Sequence, residues 1–412
     1  MLSRYVMSAV IVLAIMATAC APGGETANAD TAAESVGQPA GTPALAYDPE
    51  AVATNIVTAS LRVREGEAVL ITGSPRDGQL LEDLAVQVRR LGAHPLVRMV
   101  TDRMRRGMVV GVPERFDAQD RLDVRLAELF DVMIVVENGE DPALFADVPP
   151  ERMAAIGQKE TEADAVARDN GVRTIYIGNG IYPTAALARE SGVAESDLAR
   201  MFWNAVGTDP ASIDAEGRRI RAMLEGGTEV RVTAPNGTDL TLRIASPRIL
   251  ISDGAISPEE EAVGGASTLA WLPGGEVFFV PVQGSASGTA VLDAFDYEGV
   301  PVEGLKLTFQ DGRMTSMDAA SGLDIVRKDF DAASDGKDLF GPFDIGLNPG
   351  VTVSPDGRFR SWVAAGMVSV GIGNNTWAGG TNDVAYGLYG HIAGATVTVD
   401  GRPVVENGQL VR

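Results

Sequence analysis

The sequence predicts an α/β protein in two parts: an N-terminal domain with a mostly parallel sheet and crossover helices, followed by a β-rich α+β domain. Two observations carry this. Up to about Gly226, short apolar runs such as 67–73 (EAVLITG), 132–136 and 173–178 alternate with segments of helical periodicity. Strands separated by helices need crossover connections and therefore run parallel. After Gly226 the punctuation changes. Asn236-Gly237, Asp311-Gly312 and Asp400-Gly401 each lie between two alternating runs, and such pairs tolerate the positive φ that two-residue hairpin turns require.

In chain order, Arg4 precedes an apolar run over 6–16, too short to cross a bilayer comfortably. Ala17-Thr18-Ala19-Cys20 follows, and Cys20 is the only cysteine in 412 residues. Small side chains before a lone cysteine fit a signal peptide over 1–19 with lipid attached to Cys20. Ala21 in the next position points to the periplasmic face of the outer membrane, so the expected location is the cell envelope, with the lipid anchor as the membrane partner. Residues 20–46 carry almost no large apolar side chains. They cannot offset their own ordering entropy, and a flexible tether is expected. The α/β domain is placed at 47–226 and the β-rich domain at 227–412.

Within the first domain, Asp48 and Pro49 read as the cap and first position of a helix over 49–63. Amphipathic or helical segments follow at 80–91, 120–130, 150–170, 183–207 and 211–224, with strands at 67–73, 94–100, 132–136 and 173–178. In the second domain, hairpins cover 228–245, 302–316 and 395–405, and a helix is expected at 322–333. Ser257-Pro258-Glu259-Glu260 reads as a helix start closed by a capping box, rather than as an acidic metal cluster.

The formal charge of −22 repels nucleic acid, and no nucleic-acid partner is expected. The glycines at 73–78 (GSPRDG) form neither a dinucleotide fingerprint nor a phosphate loop. Only His94 and His391 are present, which excludes an all-histidine metal site. The most pointed feature is Glu276, between Leu272-Pro273-Gly274-Gly275 and an apolar strand start (VFFVPV). It places a carboxylate at the mouth of a sheet.

That stretch resembles the LPxGEVFxxP motif of the thermophilic metallo-aminopeptidases of the aminopeptidase T type. Further resemblances follow in order: 63–67 (VREGE), 92–95 (GAHP), Tyr182-Pro183-Thr184, Ser287-Gly288-Thr289, 304–312 and 341–350. The resemblance implies a hydrolase that holds two divalent ions with two glutamates, two histidines, a tyrosine and an aspartate. Glu276 matches one metal-binding glutamate. The other five positions fall on Pro342, Ser369, Trp377, Gly387 and Tyr389. Two adjacent cations need several anionic ligands, one of them bridging.

The expectation is therefore a degenerate homologue without catalytic residues and without a cofactor, binding a peptide or small molecule in a cleft lined by Trp377, Tyr386 and Tyr389. The alternative is an active aminopeptidase using zinc, cobalt or manganese. Glu276, Asp344 and Asp383 form a further candidate carboxylate site of another kind. The family resemblance also implies a homodimer.

Overall fold

The computed structural model describes residues 47–412 apart from 118–120, 138, 140, 142–143, 245–248, 298–299, 353–358 and 360. The leader, Cys20 and the tether lie outside the described residues. Asp48 accepts a hydrogen bond from the Ala51 N–H at 3.2 Å and starts the helix Pro49–Asn55, which runs on into a π-helical turn. Strands β1 (Ala68–Gly73), β2 (His94–Met99), β3 (Val132–Val136) and β4 (Arg173–Ile177) are all parallel. The helices Gly78–Arg90, Asp102–Val109, Arg121–Leu129 and Pro150–Asp169 lie between them. β3 is buried at every position, as a strand covered on both faces must be.

Three helices, Ala185–Ser191, Glu195–Val206 and Pro210–Glu225, lead into the strand-rich part. There the chain forms β5 (Glu229–Thr233), β6 (Asp239–Arg243), β7 (Leu250–Ser252), β8 (Leu269–Leu272), β9 (Glu276–Phe279), β10 (Ser287–Leu292), β11 (Phe295–Tyr297) and β12 (Val300–Val302). It continues with β13 (Leu305–Gln310), β14 (Arg313–Asp318), β15 (Phe340–Gly346), β16 (Val368–Gly373), β17 (Gly387–Ile392), β18 (Thr396–Val399), β19 (Arg402–Glu406) and β20 (Gln409–Leu410). The fold is thus mixed α/β, a parallel sheet with helices joined to antiparallel β-rich sheets.

The parallel sheet has the order β2-β1-β3-β4-β8, its last strand coming from beyond Gly226. Two larger antiparallel sheets follow, β14-β13-β10-β6-β5-β18-β19-β20 and β17-β16-β15-β9-β7, and β11 and β12 pair as a separate two-stranded one. The hairpins at Asp311-Gly312 and Asp400-Gly401 have positive φ at both turn residues (52° and 75°, 46° and 80°). At Asn236-Gly237 only the glycine does; the Asn236 side chain instead accepts from the Thr238 N–H at 3.1 Å.

One face of the second antiparallel sheet, bearing Val277, Phe279, Phe343, Ile345, Val370 and Leu388, packs into a core with Val230, Leu240 and Leu307 of the eight-stranded sheet. The alternation of strand side chains sends Glu276, Asp344, Ser369 and His391 to the opposite face. The chain passes from β8 to β9 through the turn Pro273-Gly274-Gly275, which ties the carboxyl end of the parallel sheet to that opposite face. A Cβ on Gly274 would lie 2.4 Å from the Gly254 nitrogen, and Gly275 has φ 130° with Asn348 2.8 Å from where its Cβ would stand. Only glycine fits either position. Asn348, fully buried, fixes the turn: its amide donates to the carbonyls of Gly274 at 2.7 Å and Ala205 at 3.2 Å, and its oxygen accepts from the Gly350 N–H at 2.8 Å.

Candidate functional site

The site is a row of polar side chains across adjacent strands. Asp344 of β15 stands opposite Phe278 of β9 on one side and Ser369 of β16 on the other, and Ser369 stands opposite His391 of β17. Directly opposed residues share a face and lie close together. Glu276 is two residues from Phe278, hence on that face too, and Ser252 of β7 is its partner across the strand pair. Ser252 is also hydrogen-bonded to the Glu276 carboxyl.

Glu276 and Asp344 are hydrogen-bonded carboxyl to carboxyl. Burial raises both, and the Glu276 charge raises Asp344 further, well above the usual carboxylate range. Asp344 is only 6% exposed, and its Oδ1 is buried without a hydrogen-bond partner. A buried acceptor left in that state costs about 1–3 kcal/mol. Farther along the row, the Ser369 hydroxyl and His391 Nδ1 are 2.9 Å apart.

An aromatic wall flanks the row. Trp377, 51% exposed, lies 5.4 Å from Phe278 and meets Tyr389 edge-on at 6.0 Å. The Tyr389 hydroxyl donates to the Asn374 carbonyl, and burial pushes its pKa up to about 12. On the far side, the Trp362 ring lies against Gly180 and 6.1 Å from the His391 ring. Gly180 belongs to the loop after β4, so the carboxyl end of the parallel sheet closes over the row. Glu137, just past β3, faces the same loop. The Asn179 N–H bonds to it, and burial pushes its pKa up to about 7.

Of the residues singled out by sequence, the structure brings together Glu276, Asp344, Trp377, Tyr389 and Ser369. Tyr386 faces the other way, 7% exposed and 5.8 Å from Phe330 in the sheet-on-sheet core. Asp383 is exposed and accepts from Asn374 at 3.3 Å, apart from the carboxyl pair. His94 is exposed at the start of β2. Ser257 and Glu260 close the capping box. Pro342 lies in the irregular stretch of β15 between Phe340 and Phe343. Such an irregularity shifts which residues face the site. The carboxyl beside Glu276 therefore comes from Asp344, two residues after the position that matching by sequence assigned to Pro342. Ser252, Phe278 and the Ser369–His391 pair were not legible as a site. Only the alternation in 343–345 (FDI), with an acid between two core residues, signals one of its members.

The sequence profile of the thermophilic metalloprotease family (M29) matches residues 48–340. Aminopeptidase PepS of Streptococcus thermophilus is 24% identical over 319 residues, covering 68% of this chain and 71% of that protein. Among solved structures, wild-type AmpT from Thermus thermophilus superposes with a TM-score of 0.65 at 18% identity, over 88% of this chain and 99% of that one. A 2,5-dihydroxypyridine dioxygenase from Pseudomonas putida KT2440 superposes with a TM-score of 0.57 at 16% identity, over 90% and 98%. These two likenesses show the fold, which a peptidase and a dioxygenase share.

The family corrects one expectation. Its members are metalloproteases that need divalent metal, so the expectation of a protein without a cofactor is overturned. The residues present fit a two-ion centre poorly. Among the described residues no three His, Cys, Asp or Glu side chains form a group that could hold a metal ion. Pro342, Trp377 and Gly387 offer no side-chain ligand. This disagreement is specific to the site, because the family's profile spans more than half of the sequence: the chain belongs to the thermophilic metalloprotease family (M29).

Proposed function

We propose that this aminopeptidase-like family member is a membrane-tethered lipoprotein that binds peptides or small amines by their ammonium group, and that it has lost rapid two-ion peptide hydrolysis. One observation carries the reading: the buried Asp344 Oδ1 without a partner, beside Glu276. An ammonium supplies the donors and the positive charge that this pair lacks. Phe278, Trp377 and Tyr389 offer a wall for the first side chain, with ring faces that also favour a cation. The acidic surface draws cationic ligands.

The test is calorimetric titration with leucinamide and with N-acetyl-leucinamide, in chelator and after equilibration with zinc, cobalt or manganese. Leucinamide should bind and the acetylated compound should not. Asp344→Asn should weaken binding about tenfold or more, the loss of a charge-assisted hydrogen bond. Equal binding of the two compounds would sink the reading.

Family membership favours a second reading, an active metal-dependent aminopeptidase. It predicts release of leucine from leucinamide that chelator and Glu276→Ala both abolish. The replaced positions Pro342, Trp377 and Gly387 support the first reading over it.

A further inference from the structure

We propose that Ser369 is a nucleophile activated by His391, and that the pair transfers the acyl group of α-amino esters. Ser369 stands between Asp344 and His391 in a directly opposed row across β15, β16 and β17. Its hydroxyl is 2.9 Å from His391 Nδ1, within the reach that a serine and its base require. With the proton of the neutral imidazole on Nε2, Nδ1 accepts from the hydroxyl. The Trp362 ring is 6.1 Å from the imidazole, tilted by 32°. The pair lies on the face of its sheet opposite the sheet-on-sheet core. Asp344 of the carboxyl pair stands directly opposite Ser369.

The spacing selects the substrate. Opposed residues on one face of a sheet have Cβ atoms about 4.5–5.5 Å apart. An ammonium held at Asp344 therefore puts the carbonyl carbon two bonds away over Ser369. The ammonium contact rests on the function proposed above; the nucleophile does not.

The chemistry balances without a co-reactant other than water. The Ser369 oxygen bonds to the ester carbonyl carbon while its proton passes to His391 Nδ1. The bond to the leaving alcohol breaks, and the alcohol takes that proton. Water then attacks the acyl-serine, gives a proton to His391, and releases the amino acid as the serine hydroxyl is restored.

The experiment uses the purified full chain and a fluorophosphonate probe, with the adduct located by peptide mass mapping. Wild type should be labelled at Ser369. Ser369→Ala should give no adduct, and His391→Gln should slow labelling about a hundredfold, the scale of a lost general base. Leucinamide titration of each variant shows whether the cleft is intact, so a folding failure is not mistaken for a chemical one. Leucine p-nitrophenyl ester should be hydrolysed faster than its N-acetyl counterpart, and leucinamide should slow labelling.

No adduct on Ser369 in a protein that binds leucinamide would overturn the nucleophile and leave ammonium recognition standing. Labelling unaffected by His391→Gln would overturn the role of the base. An adduct with equal rates on the two esters would overturn the amino-ester assignment.

Discussion

Carboxyls removed from water set the chemistry of this molecule at the scale of single residues, and each is accommodated differently. Burial raises both Glu276 and Asp344, and the Glu276 charge raises Asp344 further. Asp253 accepts from the Ala255 N–H at 2.8 Å, yet burial still pushes its pKa up to about 6. Glu137 has the Asn179 N–H as its partner and is pushed up to about 7. A carboxyl whose pKa is higher in the folded state adds stability that is fully present below the unfolded value. That stability is lost as pH rises through the folded value. For Glu137 the window runs from the ordinary glutamate range up to about 7. Glu137→Gln keeps the acceptor for Asn179 and removes the titration. The variant should be more stable than wild type at pH 8, by about 1–3 kcal/mol, with the gap closing by pH 5. Urea unfolding at the two pH values measures it, and a gap independent of pH would refute the assignment. No sequence signal marks Glu137: it follows an apolar strand like many solvated acids, and only the approach of Gly178, whose Cβ would lie 2.8 Å from its own, buries it.

At the scale of elements, the turn between β8 and β9 and the irregularity in β15 position the site. The parallel strands and the hairpin at Asp311-Gly312 were legible because local alternation and turn chemistry act over a few residues. The pairing of β8 with β4 was not, because it joins segments distant in sequence, and periodicity carries no information about a distant partner. The irregular stretch of β15 was equally invisible, so the sequence did not show that Asp344 is the carboxyl that stands beside Glu276. Asn348 holds these elements together through Gly274, Ala205 and Gly350. Asn348→Ala would leave the Gly274 carbonyl and the Gly350 N–H of a buried turn without partners, while the Ala205 carbonyl keeps the Thr208 N–H at 3.2 Å. Each unsatisfied group costs about 1–3 kcal/mol before relaxation, so a total loss of roughly 2–5 kcal/mol is expected. The denaturation midpoint should fall with an unchanged slope, and leucinamide binding should weaken because Glu276 follows the turn directly. A loss under 0.5 kcal/mol, within the range of ordinary surface changes, would show that the turn is held by other contacts.

For the whole molecule, the same scaffold carries a peptidase in one relative and a dioxygenase in another. A member's reaction therefore does not follow from the fold. Where the body works is a separate property, and we propose that it is set by the lipid on Cys20. No helix among the described residues is long and apolar enough to cross a membrane. The described chain begins at Tyr47, whose ring stacks on Trp203 at 4.1 Å, so the tether would leave the body beside the helix Glu195–Val206. A single acyl chain holds a protein only marginally, whereas several hold it stably. Loss of the one lipidation site should therefore release the body rather than loosen it. Cys20→Ala is expected to move the protein from the membrane fraction to the soluble fraction while leaving leucinamide affinity unchanged, because every side chain of the polar row lies between Ser252 and His391. Limited proteolysis of membranes carrying the wild type should cut within 20–46 and liberate the same body, starting near Asp48. Identical partitioning of wild type and Cys20→Ala would refute the anchor. Early cuts within 60–225 would show that the body does not begin where Asp48 caps its first helix.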